Sequence, residues 1–167
     1  MSTALIIVDI QNDYFPNGKM ELSKPELAAA NAAKVLDWFR KNTKDSVYHV
    51  QHIASDPALG FFLPDTTGAE IHKTVLPLEN ETVVTKSFAN SFLETGLESK
   101  LRENGVTKVV VVGMMTHMCI DATVRAAVDL GFEAVLIEDA CATRDLSYGN
   151  KTVPAEQVHY AFVSALK

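Results

Sequence analysis

The sequence predicts a doubly wound α/β domain, a parallel sheet with helices on both faces. Short apolar runs too brief for helices alternate along the chain with longer stretches of helical period. Each run ends in a cluster of polar residues or glycine, and the run Val109 to Val112 is β-branched throughout, as suits a strand buried on both faces. A chain of 167 residues, 47% of them hydrophobic, can build one core and is too short for two ordinary domains, so residues 1–167 are expected to form one unit.

Thr3 to Val8 is the first strand, ending in Asp9, Gln11, Asn12 and Asp13. FPNGKM reads as a loop, and Pro25 and Glu26 open a helix to about Lys41 with Leu27, Ala30, Val35, Leu36 and Phe39 inward. Ser46 to Gln51 is the second strand. From His52 to Thr67 the chain is aperiodic and rich in Pro, Asp, Gly and Phe, which suits a long loop at a functional site. Glu81 to Thr85 is a third strand that delivers Lys86, and a helix from Ser91 or Thr95 reaches Asn104, stopped by Gly105. After the fourth strand, Val109 to Val112, Gly113 makes the turn. Thr116 can cap a helix with Ile120, Val124, Ala127, Val128 and Leu130 at its inner positions and Gly131 as its left-handed stop. Glu133 to Ile137 is a fifth strand, with room for a short helix before Pro154 opens the last helix, Ala155 to Leu166.

The net charge of −6, with scattered Lys and Arg, offers no basic stripe for a phosphate backbone, so nucleic acid is not an expected partner. The N-terminal run ALIIV gives way to Asp9 without a signal-peptide pattern, and no stretch is long enough to cross a bilayer; a cytoplasmic protein is expected. Cys119 and Cys141 are then free thiols rather than a bridge, with Cys141 structural. No CxxC or HExxH pattern suggests structural zinc.

In a doubly wound sheet, ligands bind beyond the carboxyl ends of the strands. Asp9, Lys86 and Cys119 each stand at such an end. They make a chemical unit: a carboxylate to take a proton, an ammonium to stabilise negative charge, and a thiol to attack a carbonyl. Cys119 also falls in the first turn of its helix, where unpaired N–H groups favour the thiolate.

Three segments, IIVDIQNDYF, TKSFANSF and GMMTHMCIDATVRAA, resemble in order and spacing the isochorismatase-like hydrolases, also called cysteine hydrolases. The resemblance covers nearly the whole chain. It implies Asp9 as general base, Lys86 as the oriented cation and Cys119 as nucleophile, a cis peptide between Met114 and Met115, and an oxyanion hole from the amides of Met115 and Cys119. The implied reaction is hydrolysis of a small amide or ureide through a thioester, without a cofactor. Members of the family known as nicotinamidases hold a metal with Asp-x-His after the second strand and a later His. Here QHIAS places His52 near the aspartate position and Ala54 at the first His, with His72 standing in for the later one, so a metal-free enzyme is expected.

Phe15, Phe61, Phe62, Phe88, His52 and His117 are the expected lining of a flat, mostly apolar pocket, with Phe92 also near its mouth. Met114, Met115 and Met118 beside the site would tolerate a partner's contact, and the resemblance implies a homo-oligomer, a dimer or tetramer. It also implies a sixth strand after the last helix, where this chain ends. Either the sheet has five strands in order 3-2-1-4-5 or a strand is missing. A second reading makes Cys119 a redox-active or peroxide-sensing thiol on the same fold. A nucleotide-binding module is disfavoured, because VDIQNDYF lacks a glycine-rich phosphate loop.

Overall fold

The computed structural model describes residues 2–43 and 46–167. Five strands, β1 (Ser2–Val8), β2 (Val47–His52), β3 (Thr82–Lys86), β4 (Val106–Met114) and β5 (Glu133–Ala142), form a parallel sheet in the order β3-β2-β1-β4-β5. That is the expected order, and among the described residues no sixth strand joins the sheet.

The central strand explains the apolar runs. Leu5 and Ile7 of β1 enter one core cluster, while Ala4, Ile6 and Val8 enter the cluster on the opposite face. Every position from Ala4 to Val8 is thus buried, each larger side chain contributing about 1.5–3 kcal/mol. Helix α1 (Pro25–Asn42) covers the first face through Ala28, Ala29, Ala32, Leu36 and Phe39. Helices α2 (Leu97–Glu103) and α3 (Asp121–Asp129) cover the second through Leu97, Leu101, Val124 and Ala127. Helix α4 (Ala155–Ala165) packs on the turn after β4.

Several local expectations need correction. Leu27, Ala30 and Val128 face outward, because the buried stripes run through small alanines that the apolar count undervalued. Helix α2 begins only at Leu97: the Thr95 hydroxyl donates back to the Ser91 carbonyl at 2.6 Å and accepts from the Leu97 N–H at 3.2 Å, holding a turn ahead of the helix. β5 continues past Ile137 to Ala142. Its register runs from Val111 opposite Leu136 to Gly113 opposite Cys141, so the strand bulges and resumes. In place of a short helix, β6 (Leu146–Tyr148) and β7 (Lys151–Val153) form an antiparallel hairpin.

The carboxyl ends of β1 and β4 approach closely at one glycine. Gly113 has φ of 133°, and a Cβ there would collide with the Val8 carbonyl oxygen. Asp9 follows Val8 and the Cys119 turn follows Met114, so this contact brings their segments together.

Candidate active site

Three strand ends converge. Asp9 leaves β1 with φ of 51°, a left-handed conformation that short acidic side chains tolerate, and its N–H bonds the Val50 carbonyl at 3.0 Å. Lys86 closes β3. Cys119 lies in a π-helical turn, Thr116–Ile120, between β4 and α3. The Lys86 ammonium sits 2.7 Å from Asp9 Oδ2, with both side chains fully buried. It lies 3.3 Å from Cys119 Sγ and 2.9 Å from His52 Nδ1. A lysine has three N–H bonds to give, and three acceptors surround this one.

The charges follow from that packing. Burial pulls the Lys86 ammonium down, but the Asp9 carboxylate and the Cys119 sulfur outweigh it and leave its pKa raised. Burial pushes the Cys119 thiol up, and the Asp9 charge pushes the same way against Lys86. The expectation of a thiolate favoured by the helix start is therefore reversed; at 5% exposure, desolvation and a neighbouring carboxylate outweigh the backbone N–H groups. Apart from the ion pair with Lys86, both Asp9 oxygens lack a regular hydrogen bond, although they are buried. That leaves acceptor capacity beside the thiol.

In the turn itself, the peptide between Met114 and Met115 is cis, and the Met115 carbonyl accepts from the N–H of Met118 at 3.0 Å and of Ile120 at 3.2 Å. The longer of these loops is the π-turn bond. Thr116 does not cap a helix, since its hydroxyl bonds His159 Nδ1 of α4 at 2.9 Å. His117 Nδ1 bonds the Thr143 hydroxyl at 2.6 Å, and its ring lies 6.0 Å from Phe162.

Residues 3–159 match the family model described as the isochorismatase domain. The chain belongs to the isochorismatase family. It is 59% identical over 166 residues to the isochorismatase family protein YddQ of Bacillus subtilis (strain 168), covering 99% of this chain and 92% of that one. The crystal structure of an isochorismatase from Pseudomonas putida KT2440 superposes with a TM-score of 0.90 at 36% identity, covering 98% of this chain and 82% of that one. A ureidoacrylate amidohydrolase, RutB of Acinetobacter baylyi, is 29% identical over 171 residues, covering 83% of this chain and 70% of its own. The family is hydrolytic and includes amidases.

Within this isochorismatase-family site, the other expected residues divide. Phe62 packs against Tyr14 (4.6 Å between centroids), Phe61 (4.9 Å) and His52 (5.8 Å), making an aromatic wall whose His52 bonds Lys86. Phe15 instead stacks on His72 at 3.6 Å within the core, Phe88 is exposed, and Phe92 packs 6.1 Å from Phe132 on the opposite core face. His52 is first of all an acceptor for Lys86 rather than a free pocket side chain.

Donor atoms of Asp9, His52 and Cys119 lie within 4.8 Å of one another, a spacing that a metal ion could span. The residues nevertheless do not fit the family's metal centre. Lys86 places a positive charge within reach of all three, Ala54 offers no ligand, and His72 Nδ1 is taken by the Thr74 hydroxyl at 2.7 Å.

Sequence reading missed what fixes the aromatic wall. The Gln11 amide donates to the carbonyls of His52 and Ala69 and accepts from the His52 N–H, all at 2.8 Å. Asp13 accepts from the Phe62 N–H at 2.7 Å. Two polar residues just after a buried strand were the available signal, because buried polar groups need partners.

Proposed function

We propose that this isochorismatase-family protein hydrolyses a small amide or ureide at its C–N bond through a thioester on Cys119. The reading is carried by one observation: the Lys86 ammonium bridges the Asp9 carboxylate and the Cys119 sulfur in a closed site. Asp9 takes the thiol proton as sulfur bonds the carbonyl carbon, and the oxyanion is held by the N–H groups of Met115 and Cys119. The C–N bond breaks as Asp9 returns the proton to the leaving nitrogen. Asp9 then takes a proton from water, hydroxide attacks the thioester, and the departing sulfur recovers the proton from Asp9. Lys86 holds the Asp9 side chain aimed at the sulfur throughout.

A resting thiol with a raised pKa suits this sequence, since the proton moves only when attack begins. It does not suit the redox alternative, because sensor cysteines are exposed thiolates. The test is ammonia release from a panel of small primary amides and ureides. Cys119→Ala should abolish turnover of the best substrate, and Asp9→Asn should lower it by about 10²–10⁴-fold. Undiminished turnover in either variant, or none with any panel member, overturns the reading.

A further inference from the structure

We infer that His159 is a positioning residue: with Nε2 on Glu138 and Nδ1 on the Thr116 hydroxyl, it holds the turn between β4 and α3 so that the N–H groups of Met115 and Cys119 face the oxyanion. This rests on the hydrolase reading above and adds to it a part that never touches substrate.

The turn is not a regular helix start. In an α-helix the Cys119 N–H would bond the Met115 carbonyl, four residues back. That carbonyl instead accepts from Met118 and Ile120, the residues on either side, so Cys119 keeps its N–H from this acceptor. One carbonyl shared by two donors departs from the repeating ladder, and what lies against the turn then sets its shape. Thr116, the residue after Met115, is fully buried and makes no cap bond; its hydroxyl reaches 2.9 Å to His159 Nδ1 on α4.

The proton positions follow from the partners. Glu138 Oε2 lies 3.2 Å from His159 Nε2, and a carboxylate only accepts, so Nε2 carries the hydrogen. In the neutral ring Nδ1 then has a lone pair, and Thr116 must donate to it. Hydroxyl, imidazole and carboxylate stand here in the order of a nucleophilic triad. The Thr116 oxygen, fully buried, meets no substrate carbonyl, so the series is an anchor. His159 is itself set in place, since one turn earlier the Ala155 N–H bonds Asp145 Oδ1 at 2.8 Å.

Without the imidazole the Thr116 hydroxyl is buried and unbonded, and the turn must shift until it meets another acceptor. The second side-chain hold on the turn, His117 Nδ1 to the Thr143 hydroxyl at 2.6 Å, starts from the next residue and leaves this bond unreplaced. Thr116 lies between Met115 and Cys119, so a shift there misplaces both oxyanion donors. Those donors act in the transition state and not on the bound ground state, which directs the loss to kcat.

The experiment compares His159→Leu, His159→Asn, Thr116→Val and the double variant His159→Leu/Thr116→Val with the wild type, at a temperature where circular dichroism shows all of them folded. On the best amide or ureide, His159→Leu and Thr116→Val should each lower kcat by about 10- to 100-fold with KM within about twofold. The double variant should fall no further than the slower single one. His159→Asn, whose side-chain oxygen takes the place of Nδ1, should recover most of the rate. A second arm needs no turnover. Propanal adds to the thiol: sulfur bonds the aldehyde carbon, the C=O double bond becomes single, and the thiol proton passes through Asp9 to that oxygen, which accepts from the same two N–H groups. Read as protection of Cys119 from iodoacetamide, propanal affinity should drop at least about tenfold in His159→Leu, while alkylation itself, which forms no oxyanion, keeps its rate within about twofold. Unchanged kcat and propanal affinity, additive losses in the double variant, or alkylation slowed as much as propanal binding is weakened overturn the inference and leave the hydrolase reading standing. If no amide or ureide is turned over while the propanal arm behaves as expected, the hydrolase reading falls and the positioning role stands. Should His159→Leu not fold, Thr116→Val decides on both arms.

Discussion

Lys86 Nζ donates to His52 Nδ1 across 2.9 Å, so the imidazole must be neutral at that nitrogen. Burial, and then the Lys86 charge, hold the His52 pKa below its usual 6.5. A proton on Nδ1 would set two cations face to face and pull Lys86 out of line with Asp9 and Cys119. Activity should therefore fall on the acid side through a pKa below 6.5. His52→Leu should lower kcat by roughly 10- to 100-fold, the loss expected for a hydrogen bond to a charged group. His52→Gln, which keeps an acceptor that does not titrate, should recover part of the rate and flatten the acid limb. A pH–rate profile with the same acid limb in wild type and His52→Gln would refute this role.

The ion pair between Lys86 and Asp9 has no exposed surface, which makes its halves unequal to lose. Lys86→Met strands a carboxylate in the core and should cost about 3–5 kcal/mol. Adding Asp9→Asn to that variant should restore part of the stability while activity stays absent. Urea midpoints of the two single variants and the double variant measure the coupling; additive losses would show that the buried pair is not a unit.

The sheet order and the meeting of Asp9, Lys86 and Cys119 were legible because strand ends are marked by abrupt changes from apolar to polar residues, and parallel topology places those ends on one face. What could not be read depends on distant partners. Thr116 has the chemistry of a helix cap, yet its hydroxyl goes to His159, 43 residues away. The pKa direction of Cys119 was misjudged because burial is tertiary and the helix start is local. The β6–β7 hairpin did carry a signal, the Gly149–Asn150 pair between short alternating runs, which the expectation of a helix passed over.

Gly113 and Gly131 both have positive φ, 133° and 84°, but only the first is crowded. Gly113→Ala drives a methyl into the Val8 carbonyl and should splay β1 from β4, costing at least about 3 kcal/mol and most of the activity. Gly131→Ala meets nothing within 4 Å and pays only for backbone conformation, about 1 kcal/mol, with activity unchanged. Equal losses of stability in the two variants would show that the close approach of the strands at Gly113 is not what matters.

A second buried network sets the acid stability, away from the chemistry. Glu81 takes a two-pronged bond from Arg40 (2.7 and 2.8 Å) and faces His49 Nε2 at 2.8 Å. Burial pushes the Glu81 carboxyl up, but Arg40, the Leu78 N–H and His49 together outweigh it and hold its pKa at about 2 against an ordinary 4.5. His49, 1% exposed, is held below 6.5, by burial first, despite Glu81. Both groups bind protons more readily in the unfolded chain, so each contributes stability that is complete above its unfolded pKa and is lost as pH falls towards its folded one. Unfolding free energy should be level only between about pH 7 and 8, because at higher pH the unfolded chain gives up the thiol protons of Cys119 and Cys141 that burial retains in the fold; it should decline below 6.5 as unfolded His49, with His52, His72 and His117, takes up its proton, and decline more steeply between 4.5 and about 2 through Glu81. Urea midpoints across this range check the shape. Glu81→Gln should be less stable at neutral pH and lose the steepening below pH 4.5, whereas a variant that keeps that slope would assign it to carboxylates elsewhere.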